Sequence, residues 1–256
     1  MSGIAFKTLG GEGQDIVLIH GFGSDRLSWL GNSPALLPLA RVHALDIPGH
    51  GESSVDVGDG TPATLASRVR DCLDAQGLGR VHIVAHSLGG GIAMLLAAED
   101  PQRVASLSLI APAGLGTGVN RDFLSTYPAL TDAESTAIQL RRLVTRPILI
   151  NKMTVQRVLD QLNREGARNA LRLIATQLVA HEGGIATASL EVAKLGIPRL
   201  ALWGGSDANN PPDANRIAAF GGTNTMIAGA GHLPHIEAAK AVNTALVEFL
   251  QGLLAG

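Results

Sequence analysis

The chain has 256 residues, 46% of them hydrophobic and 3% aromatic, so one domain can bury a largely aliphatic core without disulfides. Its 20 basic and 22 acidic residues give a net charge of −2, which argues against a nucleic-acid partner. A single cysteine, no apolar run of about 18 residues and no signal peptide at Met1-Ser2-Gly3-Ile4 predict a cytoplasmic protein without intrachain disulfides or a membrane partner.

Seven short apolar runs predict strands. In chain order they are residues 4–9, 15–20, 42–46, 81–85, 104–110, 199–203 and 224–227. Most are continuous rather than alternating, which is typical of strands covered on both faces in a parallel sheet. Helical patterns follow or separate them at 61–77, 88–98, 212–220 and 237–252. This order predicts an α/β fold with a doubly wound, mostly parallel sheet.

Residues 113–196 interrupt the alternation of strands and helices. They contain several helical stretches, including 153–163 and 167–180, and no run that resembles a strand. A helical block between two strands of one sheet is typical of a lid over an active site. We therefore predict a core made of 1–112 and 197–256 with a helical lid at 113–196.

The segment from Val84 to Gly91 predicts the site of a nucleophile. An apolar strand runs directly into Ser87 and a helix starts directly after it, as in the G-x-S-x-G turn, with Ala85 in place of the first glycine. The turn needs small residues on both sides, and Ala85 and Gly89 meet that need. It would expose the Ser87 hydroxyl and offer the Leu88 N–H to an oxyanion. The alternative is a glycine-rich helix start with an incidental serine.

A serine nucleophile needs a base and an acid that orients the base. Asp207 follows the strand at 199–203, and His232 follows the last strand. Loops at the carboxyl ends of parallel strands meet at one edge of the sheet, so we predict Ser87, Asp207 and His232 as the catalytic residues. The histidines in or beside earlier strands are interpreted as structural imidazoles: His20, His43, His82 and His86.

The second oxyanion donor is expected in the loop that ends the second strand. Gly21 and Gly23 allow that loop to turn back over the serine and leave the Phe22 N–H free to bind an oxyanion. The alternative is an ordinary strand-to-loop turn. Residues 46–53 form a third glycine-rich loop at the same edge, which we interpret as a brace for the site.

Four side chains are candidates for binding the substrate: Trp29, Phe123, Tyr127 and His235. The three aromatic residues either line an apolar pocket or form ordinary lid core, and His235 is expected at the pocket rim. Arg141, Arg142 and Arg146 form a basic cluster in the lid. This cluster either binds an anionic group of the substrate or forms a solvated helix face, which is the interpretation we favour.

The motifs together resemble the α/β-hydrolase family over essentially the whole chain. The segments that resemble it are His20 to Gly23, Asp46 to Ser53, His86 to Gly90, Trp203-Gly204 with Asp207, and Gly231-His232. The resemblance implies the same catalytic and oxyanion residues as the strand positions do, and a chemistry without a metal or an organic cofactor. Ser87 argues against epoxide and haloalkane hydrolases, which resemble this fold but use an aspartate nucleophile.

Within the family, residues 111–116 and the lid look most like the hydrolase-fold module of the acyltransferase component of acetoin dehydrogenase. That component also carries a lipoyl domain with a lysine in an Asp-Lys context, whereas no lysine here follows an aspartate and the chain has no room for that domain. A swinging-arm role is therefore not expected. Carbon–carbon bond hydrolases usually place an asparagine before the nucleophile and an aromatic after the histidine, where this chain has His86 and Leu233.

The sequence thus predicts a serine hydrolase that cleaves a small ester, enol-lactone or thioester through an acyl-enzyme on Ser87. Its expected partner is a small acyl substrate. Acyl transfer within a dehydrogenase complex and carbon–carbon bond hydrolysis remain alternatives, as does a catalytically silent binding protein. Nothing in the sequence indicates the oligomeric state.

Overall fold

The computed structural model describes residues 3–254. Residues 1, 2, 255 and 256 lie outside that range. The signal-peptide prediction at residues 1–4 and the predicted core segments 1–112 and 197–256 therefore fall in part outside the described residues.

One sheet of seven strands forms the centre of the described chain. Its strands are β1 Phe6–Gly10, β2 Asp15–Ile19, β3 Arg41–Leu45, β4 Val81–His86, β5 Val104–Ile110, β6 Arg199–Gly204 and β7 Thr223–Ile227. Their order across the sheet is β1-β3-β2-β4-β5-β6-β7. The pair of β1 and β3 is antiparallel and every other neighbouring pair is parallel. The predicted α/β fold with a doubly wound, mostly parallel sheet is confirmed.

The helices lie between and after the strands. They are α1 Ser33–Leu36, α2 Pro62–Ala75, α3 Leu88–Glu99, α4 Arg121–Thr126, α5 Ala133–Arg141, α6 Lys152–Leu162, α7 Ala167–Ala180, α8 Glu182–Lys194, α9 Ala214–Phe220, α10 Pro234–Glu237 and α11 Ala239–Leu254. Single 3-10 turns lie at Arg26–Trp29, Tyr127–Ala129 and Pro147–Leu149. The helix predicted at 237–252 is in two parts, because the chain leaves helical geometry at Ala238.

Apolar side chains on both faces of the sheet explain why the strand runs are continuous. Along β2, Val17 and Ile19 lie in one buried cluster with residues of α2 and α3. Ile16 and Leu18 lie in a second cluster, which includes residues of α11. Both faces of β2 are therefore removed from water, and a strand in that position has no polar face to alternate with.

Helices α4 to α7, residues 121–180, cover the carboxyl edge of the sheet, and we call them the cap. Helix α8, at the C-terminal end of the predicted lid of 113–196, packs against α3 and α9 beside the sheet. A Cβ atom on Gly114 would lie 2.5 Å from the Ile185 side chain, so the chain passes close to α8 on its way to the cap. The sequence analysis included the residues of α8 in the helical block without indicating which layer of the fold they join.

Within residues 3–254, no helix combines the length and the apolar character that crossing a bilayer requires.

Candidate active site

A strained turn between β4 and α3 carries Ser87. Its backbone has φ 50° and ψ −115°, a conformation that residues other than glycine rarely adopt. The Ser87 N–H donates to the Ile110 carbonyl at 3.0 Å, and its carbonyl accepts from the Gly91 N–H at 3.1 Å. A Cβ atom on Gly89 would lie 2.4 Å from the His20 carbonyl oxygen, so α3 can start this close to β2 only with glycine there.

Ser87, His232 and Asp207 form one hydrogen-bonded line. The Oγ of Ser87 lies 3.1 Å from Nε2 of His232, and Nδ1 of His232 lies 2.8 Å from Oδ2 of Asp207. These residues follow β4, β7 and β6, so the predicted edge of the sheet brings them together. With the Nδ1 proton donated to the carboxylate, Nε2 is free to accept the serine proton.

The Asp207 carboxylate accepts hydrogen bonds from four groups. Its Oδ1 accepts from the backbone N–H of Asn209 and of Asn210, each at 2.9 Å. Its Oδ2 accepts from the His232 ring and, at 3.1 Å, from Nε1 of Trp203. The sequence analysis missed Asn210, whose side-chain amide also donates to two carbonyls after β5 at 3.0 Å. The carboxylate is thus held in one orientation towards the imidazole.

The His232 main chain is held at both of its polar groups. Its N–H donates to the Leu143 carbonyl of the cap at 2.8 Å, and its carbonyl accepts from Nε2 of His86 at 2.9 Å. The His86 ring packs against the rings of His232 and His235, with centroids 4.9 and 4.5 Å apart. His86, predicted as a structural imidazole, therefore supports the backbone that carries the His232 ring.

The loop after β2 passes directly over the nucleophile. A Cβ atom on Gly21 would lie 3.0 Å from Cβ of Ser87 and 2.5 Å from Nδ1 of His86. Phe22 lines the same cavity as Ser87, and Leu88 follows Ser87 at the start of α3. Among residues 3–254, the N–H groups of Phe22 and Leu88 have no hydrogen-bond acceptor, so both are available to a ligand.

A cavity of about 360 Å³ lies between this edge of the sheet and the cap. Ser87 and His232 form part of its wall, and apolar side chains of the cap form another part, including Leu124, Leu140 and Val158. A cavity of this size and character fits the lower end of the range for small-molecule sites, about 300–1,000 Å³.

Three of the four predicted substrate-binding side chains line this cavity: Phe123, Tyr127 and His235. The Tyr127 hydroxyl also donates to the Gly23 carbonyl at 2.5 Å and so ties the cap to the loop after β2. The prediction for Trp29 is wrong, because its side chain is fully buried in the core behind His235, with ring centroids 4.9 Å apart. The sequence placed Trp29 near the site but could not indicate which way its ring points.

A polar group in the cavity wall was missed by the sequence analysis. The buried Asp25 carboxylate accepts from the Arg157 guanidinium and from the Gln161 amide, both on α6. It also caps the Leu27 N–H at 2.8 Å. Asp25, Arg157 and Gln161 all line the cavity. Asp25 and Arg157 lie 132 residues apart in the sequence, so no local pattern could have paired them.

The predicted basic cluster of the cap lies away from the cavity. Arg141, Arg142 and Arg146 are exposed and do not line it. Arg142 pairs with Asp122 on the cap surface at 2.6 Å. This arrangement agrees with the solvated helix face rather than with an anion site for the substrate.

Four buried histidines surround the site in addition to His232, namely His20, His50, His86 and His235. Burial is the main cause that lowers the pKa of His20 to about 4 and of His50 and His235 to about 3, and it also lowers the pKa of His86. All four rings are therefore neutral at neutral pH. The tautomer of His20 is determined by its contacts, because Nδ1 donates to the Gly21 carbonyl and Nε2 accepts from the Ile47 N–H.

Comparison with known proteins agrees with this arrangement of fold and site. A model of the alpha/beta hydrolase family matches residues 16–245. The dihydrolipoyllysine-residue acetyltransferase component of the acetoin cleaving system of Pseudomonas putida is 37% identical over 95% of this chain. The chain spans 65% of the length of that relative.

One further relative and one solved structure match almost the whole chain. The pimeloyl-[acyl-carrier protein] methyl ester esterase of Edwardsiella ictaluri is 29% identical over 98% of this chain and 99% of its own length. The structure of a meta-cleavage product hydrolase from Pseudomonas fluorescens IP01 superposes with a TM-score of 0.85 at 21% identity. That superposition covers 97% of this chain and 94% of the other, and at this identity it shows the shared fold alone.

Proposed function

Because this chain belongs to the alpha/beta hydrolase family, we propose that it is a serine hydrolase that cleaves esters or thioesters of small, uncharged acyl groups. The observation that supports this most directly is the hydrogen-bonded line of Ser87, His232 and Asp207 in the wall of an apolar cavity. That line supplies a nucleophile, a base and an oriented acid within contact of one ligand site.

The proposed reaction begins when Ser87 Oγ attacks the carbonyl carbon of the substrate and its proton passes to Nε2 of His232. The negative oxygen of the tetrahedral intermediate accepts hydrogen bonds from the N–H groups of Phe22 and Leu88. Asp207 stabilises the imidazolium that forms. His232 then gives the proton to the leaving group as the acyl–oxygen or acyl–sulfur bond breaks, which leaves an acyl-enzyme.

Hydrolysis completes the cycle with the same groups in the same roles. His232 removes a proton from a water molecule, and the resulting hydroxyl attacks the acyl carbon. Collapse of the second tetrahedral intermediate breaks the bond to Ser87 Oγ, and the proton returns from His232 to that oxygen. The products are a carboxylic acid and the free enzyme, and the balance requires only water and the acyl substrate.

The charge balance of the cavity supports an uncharged acyl group. Within the described residues, Arg157 is the one lysine or arginine in the cavity wall, and it already pairs with Asp25. The histidines His86 and His235 are neutral because burial lowers their pKa values. A carboxylate on the acyl chain would therefore meet no unpaired cation there, so its desolvation would be poorly offset. This disfavours acids such as the dioic substrates named for some carbon–carbon bond hydrolases.

Acyl transfer is the second candidate, and it rests on the 37% identity with the acetyltransferase component from Pseudomonas putida. In that reaction a thiol replaces water in the second half of the cycle. The two candidates share the acyl-enzyme and differ only in the acceptor. Turnover of a p-nitrophenyl ester measured with and without dihydrolipoamide or coenzyme A separates them, since only transfer yields the acylated thiol.

The proposal is tested by fluorophosphonate labelling and by turnover of p-nitrophenyl esters of increasing chain length. Ser87→Ala should abolish labelling and lower kcat by about 10⁴- to 10⁶-fold, as loss of a serine nucleophile does elsewhere. Ser125→Ala removes an exposed cap serine and should leave both unchanged. Wild-type protein that neither labels nor turns over any ester in the series would overturn the proposal.

A further inference from the structure

Glu237 is a buried carboxylate beyond the catalytic line. It ends α10, five residues after His232, and only 6% of the residue is exposed. Its Oε1 accepts from the Gly231 N–H at 2.6 Å. Its Oε2 accepts from the N–H and the hydroxyl of Thr145 at 2.7 and 2.8 Å, and from the Arg146 N–H at 3.3 Å. The carboxylate therefore joins the chain just before His232 to the cap.

The cap side of this junction is one short segment. Residues 142–146 connect α5 to the next 3-10 turn, and we call them the cap loop. The Thr145 hydroxyl also lies 2.6 Å from the Gly229 carbonyl oxygen, so its one proton is shared between that oxygen and Glu237. A Cβ atom on Gly231 would lie 2.7 Å from the Leu143 carbonyl, so the cap loop and the chain before His232 are in close main-chain contact.

The same cap loop also holds the His232 backbone directly, through the bond from its N–H to the Leu143 carbonyl. The consecutive N–H groups of Gly231 and His232 thus donate to the Glu237 carboxylate and to the Leu143 carbonyl of the cap loop. A shift of either contact would rotate the peptide that carries the imidazole. The His232 ring reaches Ser87 across 3.1 Å, a distance at which small rotations weaken a hydrogen bond.

We propose that Glu237 is a positioning residue, which holds the His232 loop on the cap loop and thereby aligns the His232 imidazole with Ser87. The inference rests on the proposed function, in which His232 is the general base. It also gives the cap a second role besides lining the cavity, because the cap loop then determines where the base lies.

The chemistry of the carboxylate favours this role over simple packing. Removing a carboxylate from water is costly, and no Lys or Arg side chain among the described residues donates to its oxygens. The Arg146 guanidinium donates instead to the Glu237 backbone carbonyl at 3.2 Å. The two carboxylate oxygens serve donors on both segments at once, whereas an apolar residue would pack there without joining them.

Glu237→Gln tests the proposal, since the amide keeps the size of the side chain and presents an NH₂ group to donors on one side. We expect kcat for a p-nitrophenyl ester to fall about 10- to 100-fold with KM nearly unchanged, as for a displaced catalytic group. Glu248→Gln makes the same change on the exposed surface of α11 and should leave kcat at the wild-type value.

A double-mutant cycle with His232→Ala distinguishes positioning from a general loss of structure. If Glu237 acts through His232, then Glu237→Gln should cause no further loss in the residual turnover of His232→Ala. The same fractional loss in both backgrounds would overturn the proposal, as would wild-type kcat in Glu237→Gln. Wild-type turnover in His232→Ala would instead overturn the proposed function itself.

Thr145→Val provides a second variant if Glu237→Gln fails to fold. It removes the hydroxyl that bonds Glu237 and Gly229 but keeps the Thr145 N–H. We expect a smaller fall in kcat, about 3- to 10-fold, that disappears in the His232→Ala background. A fall that persists in that background contradicts the proposal.

Discussion

The sheet edge and the cap hold their polar side chains in different ways. At the sheet edge, Asp207 and His232 are buried, and their contacts come mostly from the chain beside them and from neighbouring strand ends. The cap reaches the site through the backbone of the cap loop and through single long side chains, such as the Arg157 side chain, which is 41% exposed and bonds Asp25. We expect loss of a sheet-edge group to affect the chemistry directly, and loss of a cap group to change which substrates react and how fast.

The first way to test this difference is to remove one carboxylate from each region. Asp207→Asn should lower kcat about 10³- to 10⁴-fold, because the amide can stabilise the wrong tautomer of His232. Asp122→Asn removes the partner of Arg142 on the cap surface and should change kcat less than twofold, because an exposed ion pair contributes only about 0–1 kcal/mol. Initial rates on a p-nitrophenyl ester measure both effects. Comparable losses in the two variants would contradict the division between the regions.

We also expect buried histidines at the sheet edge, rather than groups of the cap, to make the free energy of unfolding depend on acid pH. Burial lowers the pKa of His20, His50, His86 and His235 in the folded state, so the unfolded chain binds these protons at higher pH. The stability they confer is complete above pH 6.5 and is lost as pH falls below it. Between pH 7.5 and 5.5, the protonation of each of His20, His50 and His235 in the unfolded chain should lower the free energy of unfolding by about 1 kcal/mol.

Urea unfolding at the two pH values measures this loss in the wild type and in matched variants. His50→Gln should reduce the pH-dependent difference by about 1 kcal/mol, because one buried imidazole no longer titrates. His181→Gln replaces the exposed histidine that follows the cap and should leave the difference unchanged. An unaltered difference in His50→Gln would show that the acid sensitivity arises elsewhere.

The two regions also differ in how far the sequence predicts them. Ser87 and the sheet around it were predictable because short apolar runs and a strained turn are local patterns, and parallel strands bring their ends together. Arg157 and Asp25 were not, since their pairing depends on how the cap docks onto the core. The same limit explains Trp29 and α8. The sequence placed Trp29 near the site and α8 within a helical block, but it did not indicate which residues each of them packs against.

The last effect we expect concerns the charge of the acyl group and tests the contact between the cap and the loop after β2. Wild-type protein should favour p-nitrophenyl hexanoate over the mono-p-nitrophenyl ester of adipic acid, which has the same chain length but ends in a carboxylate. Asp25→Asn leaves Arg157 unpaired while the remaining oxygen can still cap the Leu27 N–H. A free guanidinium near the cavity should then raise kcat/KM for the adipate ester about 5- to 10-fold, as one partly exposed ion pair allows.

The matched change on the other partner sharpens this prediction. Arg157→Gln removes the cation and leaves the buried Asp25 carboxylate with the Gln161 amide as its remaining cap partner. The adipate ester should then react no faster than with the wild type, because a second negative charge faces the uncompensated Asp25. If both variants change the ratio of adipate to hexanoate turnover in the same direction, the Asp25–Arg157 pair acts only as a mechanical tie between cap and core. Opposite changes would mean that its charge selects the acyl group.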